Sequence, residues 1–252
     1  MKLNSLFAFL LFLFSTTLIA SEYTVVLDSA NAAYAKGDYT KAIKLYDSVI
    51  AKGEVAPELY FNLGNAFYKL NNIGFAILNY EKAKKLSPDD EDINVNLKLA
   101  NQKTEDKIEA APQLFLTTWK NALVNILSEK AWSELCIFSV IMALILFAIY
   151  IFTSIRVWKQ IGFFGGSFLI LFSISIFFVA KHKAELTLNS GTAIITAPTV
   201  TVSGSPNEKG TKLFILHEGT KVTVTEEDGS WTEIKIVNGN VGWVPKHTIS
   251  PI

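Results

Sequence analysis

Residues 135–180 constrain this chain more than any other stretch. No charged side chain occurs from 135 to 155, and none from 160 to 180. Between the two runs stand Arg156, Val157, Trp158 and Lys159. Each run matches the ~20 apolar residues that cross a bilayer's hydrocarbon core as a helix. Lipid offers no partner to backbone N–H and C=O groups, which selects helices over open strands. A soluble chain this short has too little material to cover two such helices. The expectation is a two-helix transmembrane hairpin, with spans at 135–155 and 160–180. The loop at 156–159, with two cations and no acid, is placed in the cytoplasm by the positive-inside rule.

An even number of spans returns the chain to its starting side, so the segments before and after the hairpin share a compartment. Residues 1–20 carry Lys2, then a run dominated by Leu and Phe, then Ser15, Thr16 and Thr17 before Ala20. That is the pattern of an export signal, either cleaved after Ala20 or retained as an anchor. Both flanking segments are then expected outside the cytoplasmic (inner) membrane, on the periplasmic or extracytoplasmic side. Half of the residues are hydrophobic, as a membrane part requires, and the formal net charge of zero argues against a nucleic-acid partner. The lone cysteine, Cys136, excludes an intrachain disulfide and reads as a small apolar packing residue.

Residues 21–110 repeat with a period of 34. Ala30 pairs with Gly64, Asn31 with Asn65, Ala32 with Ala66, Tyr34 with Tyr68, Ala42 with Ala76, Ile43 with Ile77 and Tyr46 with Tyr80. That period, with small residues where helices cross, marks two tetratricopeptide repeats. In the second copy Gly64 and Ala76 permit close approach, Tyr60 and Tyr80 fill the adjoining space, and Pro88 ends the helix. A further helix over about 90–108, with Ile93, Leu97 and Ala100 on one stripe, is expected to cap the solenoid. The positions that line the concave face of such repeats are held by Asp28, Asn31, Tyr34, Asn62, Asn65, Tyr68 and Asn96. Leu27, Asp92 and Asn96 stand where a terminal-carboxylate clamp would need cations, so that mode is rejected. Amides and phenols suit an extended or helical peptide, and equally an ordinary solvated face. On the peptide reading, replacing Asn31, Asn62 and Asn65 would weaken binding without harming the fold.

Residues 111–134 place Leu114, Phe115, Trp119, Leu123, Ile126 and Leu127 on one helical face, which fits a helix lying on the membrane surface or one packed against the repeats. In the second span, Gly162 and Gly166 are spaced for close approach, more simply to the first span than to a second copy. Residues 187–252 change character. Alternation in 221–225 and 231–236, with turn signals at Glu218-Gly219, Asp228-Gly229 and Asn238-Gly239, indicates a small all-β barrel of about five strands. The run from Leu213 to Val222, with Trp231, Ile234 and Gly242-Trp243-Val244, resembles bacterial SH3-like domains. Trp231 and Trp243 are the candidate groove residues there, for a peptide or a cell-wall fragment, with one of them expected in the core.

His182, His217 and His247 are too scattered for a metal site. No nucleophile–base, paired-carboxylate or phosphate-loop pattern is present, so neither an enzyme nor a cofactor is expected. The order of parts resembles the BatE-type members of the Bat aerotolerance family. The resemblance implies partnership with von Willebrand A-domain membrane proteins and a MoxR-type ATPase system in tolerance of oxygen and oxidative stress. Two functions compete: a scaffold whose repeats bind partner proteins, and a cell-envelope binder acting through the barrel on peptidoglycan or peptide.

Overall fold

The computed structural model describes residues 21–111, 115–188 and 191–252. The proposed export signal at 1–20 and Leu114 lie outside the described residues. The chain divides into two compact units. One comprises the residues through Glu109 together with Gly191–Ile252, and the other is Ala110–Ser190.

Among the described residues of the first unit, five helices run in sequence: α1 (Ser21–Ala35), α2 (Tyr39–Ala51), α3 (Pro57–Lys69), α4 (Ile73–Leu86) and α5 (Glu91–Gln102). Their starts are set locally. Asp38, Asn72 and Asp90 accept a hydrogen bond from the N–H three residues on, and Pro57 occupies the first turn of α3. The small residues predicted at the crossings are fully enclosed. Ala30, Ala42, Ala66 and Ala76 expose nothing, and Tyr46 and Tyr80 only 1%. A Cβ on Gly64 would meet the Tyr80 ring at 2.7 Å, so glycine is what lets α3 and α4 approach.

The cap helix α5 ends at Gln102, short of the expected 108. The Lys107 ammonium donates to the carbonyls of Asn101 and Gln102, both at 3.1 Å, satisfying groups that the next turn would otherwise have used. Residues 103–109 then leave as a strap.

The C-terminal part of this unit is a seven-stranded antiparallel sheet, two strands more than expected: β1 (Thr192–Ile195), β2 (Thr199–Ser203), β3 (Lys212–His217), β4 (Lys221–Asp228), β5 (Trp231–Lys235), β6 (Val241–Pro245) and β7 (Ile249–Pro251). Strand order is β3-β2-β6-β5-β4-β1-β7. The extra strands, β1 and β7, are too short to alternate visibly in sequence, and pairing with each other and with β4 defines them. Gly219, Gly229 and Gly239 adopt positive φ in the turns that the sequence marked. Ala193, Ile195, Val200, Val202, Leu216, Val222, Ile234, Ile236 and Val244 form the core.

In the second unit, α6 (Phe115–Val124) is followed by α7 (Glu129–Phe152) and α8 (Arg156–Leu188). Both α7 and α8 are long and apolar enough to cross a membrane, and most of their apolar surface is unburied within the protein. The boundaries differ from the sequence reading because a helix does not end where its charge-free run ends. Ser128 caps α7, and its first turn holds Glu129, so α7 begins six residues before the apolar run. The elbow shrinks to residues 153–155, and Arg156 and Lys159 fall in the first turns of α8 rather than in a loop. The linker likewise breaks after Val124, whose carbonyl accepts from the Trp132 indole at 3.0 Å. On α6 and just beyond it, Phe115, Trp119, Leu123 and Ile126 are exposed within the unit. A Cβ on Gly162 would lie 2.6 Å from the Leu146 carbonyl oxygen, and one on Gly166 3.1 Å from the Phe147 ring, so the glycines serve packing of α8 against α7.

Candidate functional site

The concave face is assembled from α1, α3 and α5, the first helix of each repeat and the cap. Two hydrogen-bonded triplets run along it. Asn31 Oδ1 accepts from the Tyr46 hydroxyl at 2.7 Å and from Asn62 Nδ2 at 3.4 Å. Thirty-four residues on, Asn65 Oδ1 accepts from the Tyr80 hydroxyl at 2.8 Å and from Asn96 Nδ2 at 2.9 Å. The same unit is thus made twice, each joining the two helices of one repeat to the first helix of the next element. Burial pushes the Tyr46 hydroxyl up to about 12 and raises Tyr80 as well, so both remain neutral donors. The asparagines are therefore structural as well as surface groups, contrary to the expectation that they could be removed without cost to the fold. Their helical spacing aims them inward, but Tyr80, assigned by sequence only to filling space, and its repeat counterpart Tyr46 supply the partners.

Beside the second triplet lies a cavity of about 270 Å³, lined by Tyr34, Asn65, Tyr68, Lys69, Tyr80, Asn96 and Leu99. Four of the seven positions expected on the groove, Tyr34, Asn65, Tyr68 and Asn96, meet here. Asn31 and Asn62 stand in the neighbouring triplet, and Asp28 is exposed on α1 away from the cavity lining. Lys69 and Leu99 were not anticipated, although each follows a predicted residue at helical spacing, Asn65 by four and Asn96 by three. Lys103 sits 4.1 Å from the Tyr68 ring centroid, fixing that ring from behind by a cation–π contact. The site can offer amide and phenol hydrogen bonds, one ammonium and an apolar wall. Among the described residues no group of three or more His, Cys, Asp or Glu is placed to hold a metal ion.

Trp231 and Trp243 both lie on the outer face of the sheet, half-buried, because Thr232, Ile234, Gly242 and Val244 take the inward positions. Neither is in the core, against the expectation for one of them. Trp243 pairs with Glu233, and Trp231 with Pro245, which puts the two indoles on one diagonal of the β5–β6 pair.

Two families match parts of the chain: a tetratricopeptide repeat family over residues 27–91 and a bacterial SH3 domain family over residues 204–250. The chain therefore carries a tetratricopeptide region, two apolar helices and an SH3-like region, a set suited to protein–protein or cell-envelope binding. Tetratricopeptide repeat protein 16 of Homo sapiens and of Macaca fascicularis are each 33% identical over 76 residues, 30% of this chain and 9% of the relative. The mouse protein of that name, from Mus musculus, is 33% identical over the same length, 10% of its own. The chain thus spans about a tenth of the length of these curated relatives.

Proposed function

We propose that this protein is a non-catalytic membrane-anchored scaffold whose exported repeats hold a segment of a partner protein. The observation that carries this reading is the cavity walled by α1, α3 and α5, with Tyr80 of α4 at its base, and lined by Tyr34, Tyr68, Asn65, Asn96, Lys69 and Leu99. Side chains of this kind bond to a peptide backbone and cover its apolar groups. Helices α7 and α8 anchor the scaffold. Arg156 and Lys159 at the start of α8 orient that end toward the cytoplasm, which leaves repeats and barrel on the periplasmic or extracytoplasmic side. The resemblance in order of parts makes a Bat-type complex for aerotolerance and oxidative stress the setting. Von Willebrand A-domain membrane proteins and a MoxR-type ATPase system are then the partners.

A second reading rests on Trp231 and Trp243, whose shared outer face could stack on a cell-wall sugar or peptide. One experiment separates the two. The full chain, a Leu99→Glu variant and a Trp231→Ala/Trp243→Ala variant are purified from membranes in detergent and their associated proteins identified. Loss of partners with Leu99→Glu alone supports the scaffold. Retention there with loss in the tryptophan variant transfers the function to the barrel.

A further inference from the structure

The strap and the barrel grip the cap end of the repeats at several points. Asp106 Oδ2 accepts from the His217 backbone N–H at 2.7 Å and from the Thr220 hydroxyl at 2.5 Å, while its Oδ1 lies 2.8 Å from His217 Nδ1. Glu218 Oε2 accepts from the Gly74 N–H at 3.1 Å, occupying one of the donors that the start of α4 leaves unpaired. Lys221 pairs with Glu81 at 2.8 Å, and the Lys85 ammonium donates to the Ile252 carbonyl at 3.1 Å.

The apolar groups cross over as well. Ile194 of β1, fully buried, belongs to the repeat cluster with Ile73, Ile77, Leu97 and Ala100, and Ile108 of the strap packs on the barrel core. Gly219 makes the fit possible. Its φ is +87°, and a Cβ there would stand 2.7 Å from Thr104 Cγ2 and 2.9 Å from Ile77 Cδ1.

We propose that the SH3-like barrel is a latch for the solenoid of its own chain: it holds α4, α5 and the strap in place and thereby fixes the wall of the groove that carries Asn96 and Leu99. A solenoid end must be covered to be stable. Helix α5 alone is short and contributes only Ile93, Leu97 and Ala100 to burial, so Ile194 and Ile252 of the barrel complete the cover. The β3–β4 turn is consequently engaged within the chain, and any external ligand of the barrel must use another face. The consequence for partner capture rests on the scaffold reading above; the latch itself does not.

The test uses the full chain in detergent, with hydrogen exchange read by mass spectrometry on wild type, Asp106→Ala and Gly219→Val. Asp106 belongs to neither hydrophobic core, so its removal opens the clasp without emptying one. In both variants amides of α5 and of the strap should exchange at least about tenfold faster, while α2 is unchanged. Joint loss of protection in barrel and α5 in Asp106→Ala supports the latch equally, since a side chain outside both cores would then couple them. Unchanged α5 protection in both variants, or loosening of the barrel alone, overturns it. Capture of partners from membranes is measured on the same samples. Faster α5 exchange with full capture keeps the latch and removes the groove as the binding surface.

Discussion

Replacing Asn65 with Ala perturbs an enclosed polar contact of the repeats. The Tyr80 hydroxyl bonds to Asn65 Oδ1 at 2.8 Å, and Tyr80 is 1% exposed, so in the folded protein this bond is largely shielded from solvent. An orphaned buried hydroxyl costs roughly 1–3 kcal/mol, and the lost bond to Asn96 adds up to about 1 kcal/mol more. Against this, alanine gains at most about 0.7 kcal/mol in helix propensity. The net expectation is a loss of roughly 1–3 kcal/mol. A double-mutant cycle isolates the contact. Tyr80→Phe removes the hydroxyl and keeps the ring against Gly64, so Asn65→Ala in that background should cost about 1 kcal/mol less than in wild type. The assay is native-state hydrogen exchange of α3, α4 and α5 in the full chain in detergent. Wild-type protection in Asn65→Ala, or zero coupling to Tyr80→Phe, would refute the triplet as a structural element.

Other outcomes follow from single contacts. Ala76→Glu forces a carboxylate into a site with no exposed surface and should cost several kcal/mol, seen as lost protection across α3 and α4; unaltered protection would contradict the helix crossing. Gly162→Val drives a side chain into the Leu146 carbonyl and should lower hairpin stability by roughly 1–3 kcal/mol in an SDS titration followed by tryptophan fluorescence. Protection of α5 should also depend on pH. Burial alone would raise the Asp106 carboxyl, but bonds from the His217 backbone and ring and from Thr220 outweigh it and hold the group below its ordinary value. The bond to Asp106 raises His217 against some desolvation, aided by the charges of Asp106 and Glu105; Lys103 and Glu218 line the same crevice. The lowered acid contributes above roughly pH 4 and fails as pH falls through its folded value. The raised histidine contributes fully below roughly pH 6.5 and fails as pH rises through its folded value. Protection should therefore be level between those limits and decline on either side, whereas a steady increase to pH 9 would contradict the pairing.

The features legible in the sequence were those written in a local or periodic pattern. The step of 34 located Gly64, Ala76 and Tyr80 at the helix crossing, and the helical spacing placed Tyr34, Asn65, Tyr68 and Asn96 on one cavity. The triplet was half-visible: Asn31/Asn65 and Tyr46/Tyr80 were aligned as repeats, but Asn62/Asn96 obeys the same step and closes the bond. The two long apolar helices were found and their ends misplaced, because caps such as Ser128 and not loss of apolarity decide where a helix starts. The clasp of Asp106 with His217 joins residues separated by 111 positions, and no composition or period connects them. The outward placement of both tryptophans depended on strand register, which the buried Thr232 and Ile234 set on β5 and Gly242 and Val244 on β6.

Binding at the concave face is tested most directly by a photo-crosslinker installed at Leu99, which lines the cavity and is 45% exposed. Leu99→benzoylphenylalanine is compared in intact cells with the same replacement at Lys98, outside the cavity lining, and at Trp243 on the barrel. The scaffold account predicts that irradiation at position 99 yields a discrete covalent adduct with another membrane-associated protein, and that position 98 yields none. Adducts confined to position 243, or none at position 99 while the full chain still co-purifies with its partners, would contradict it.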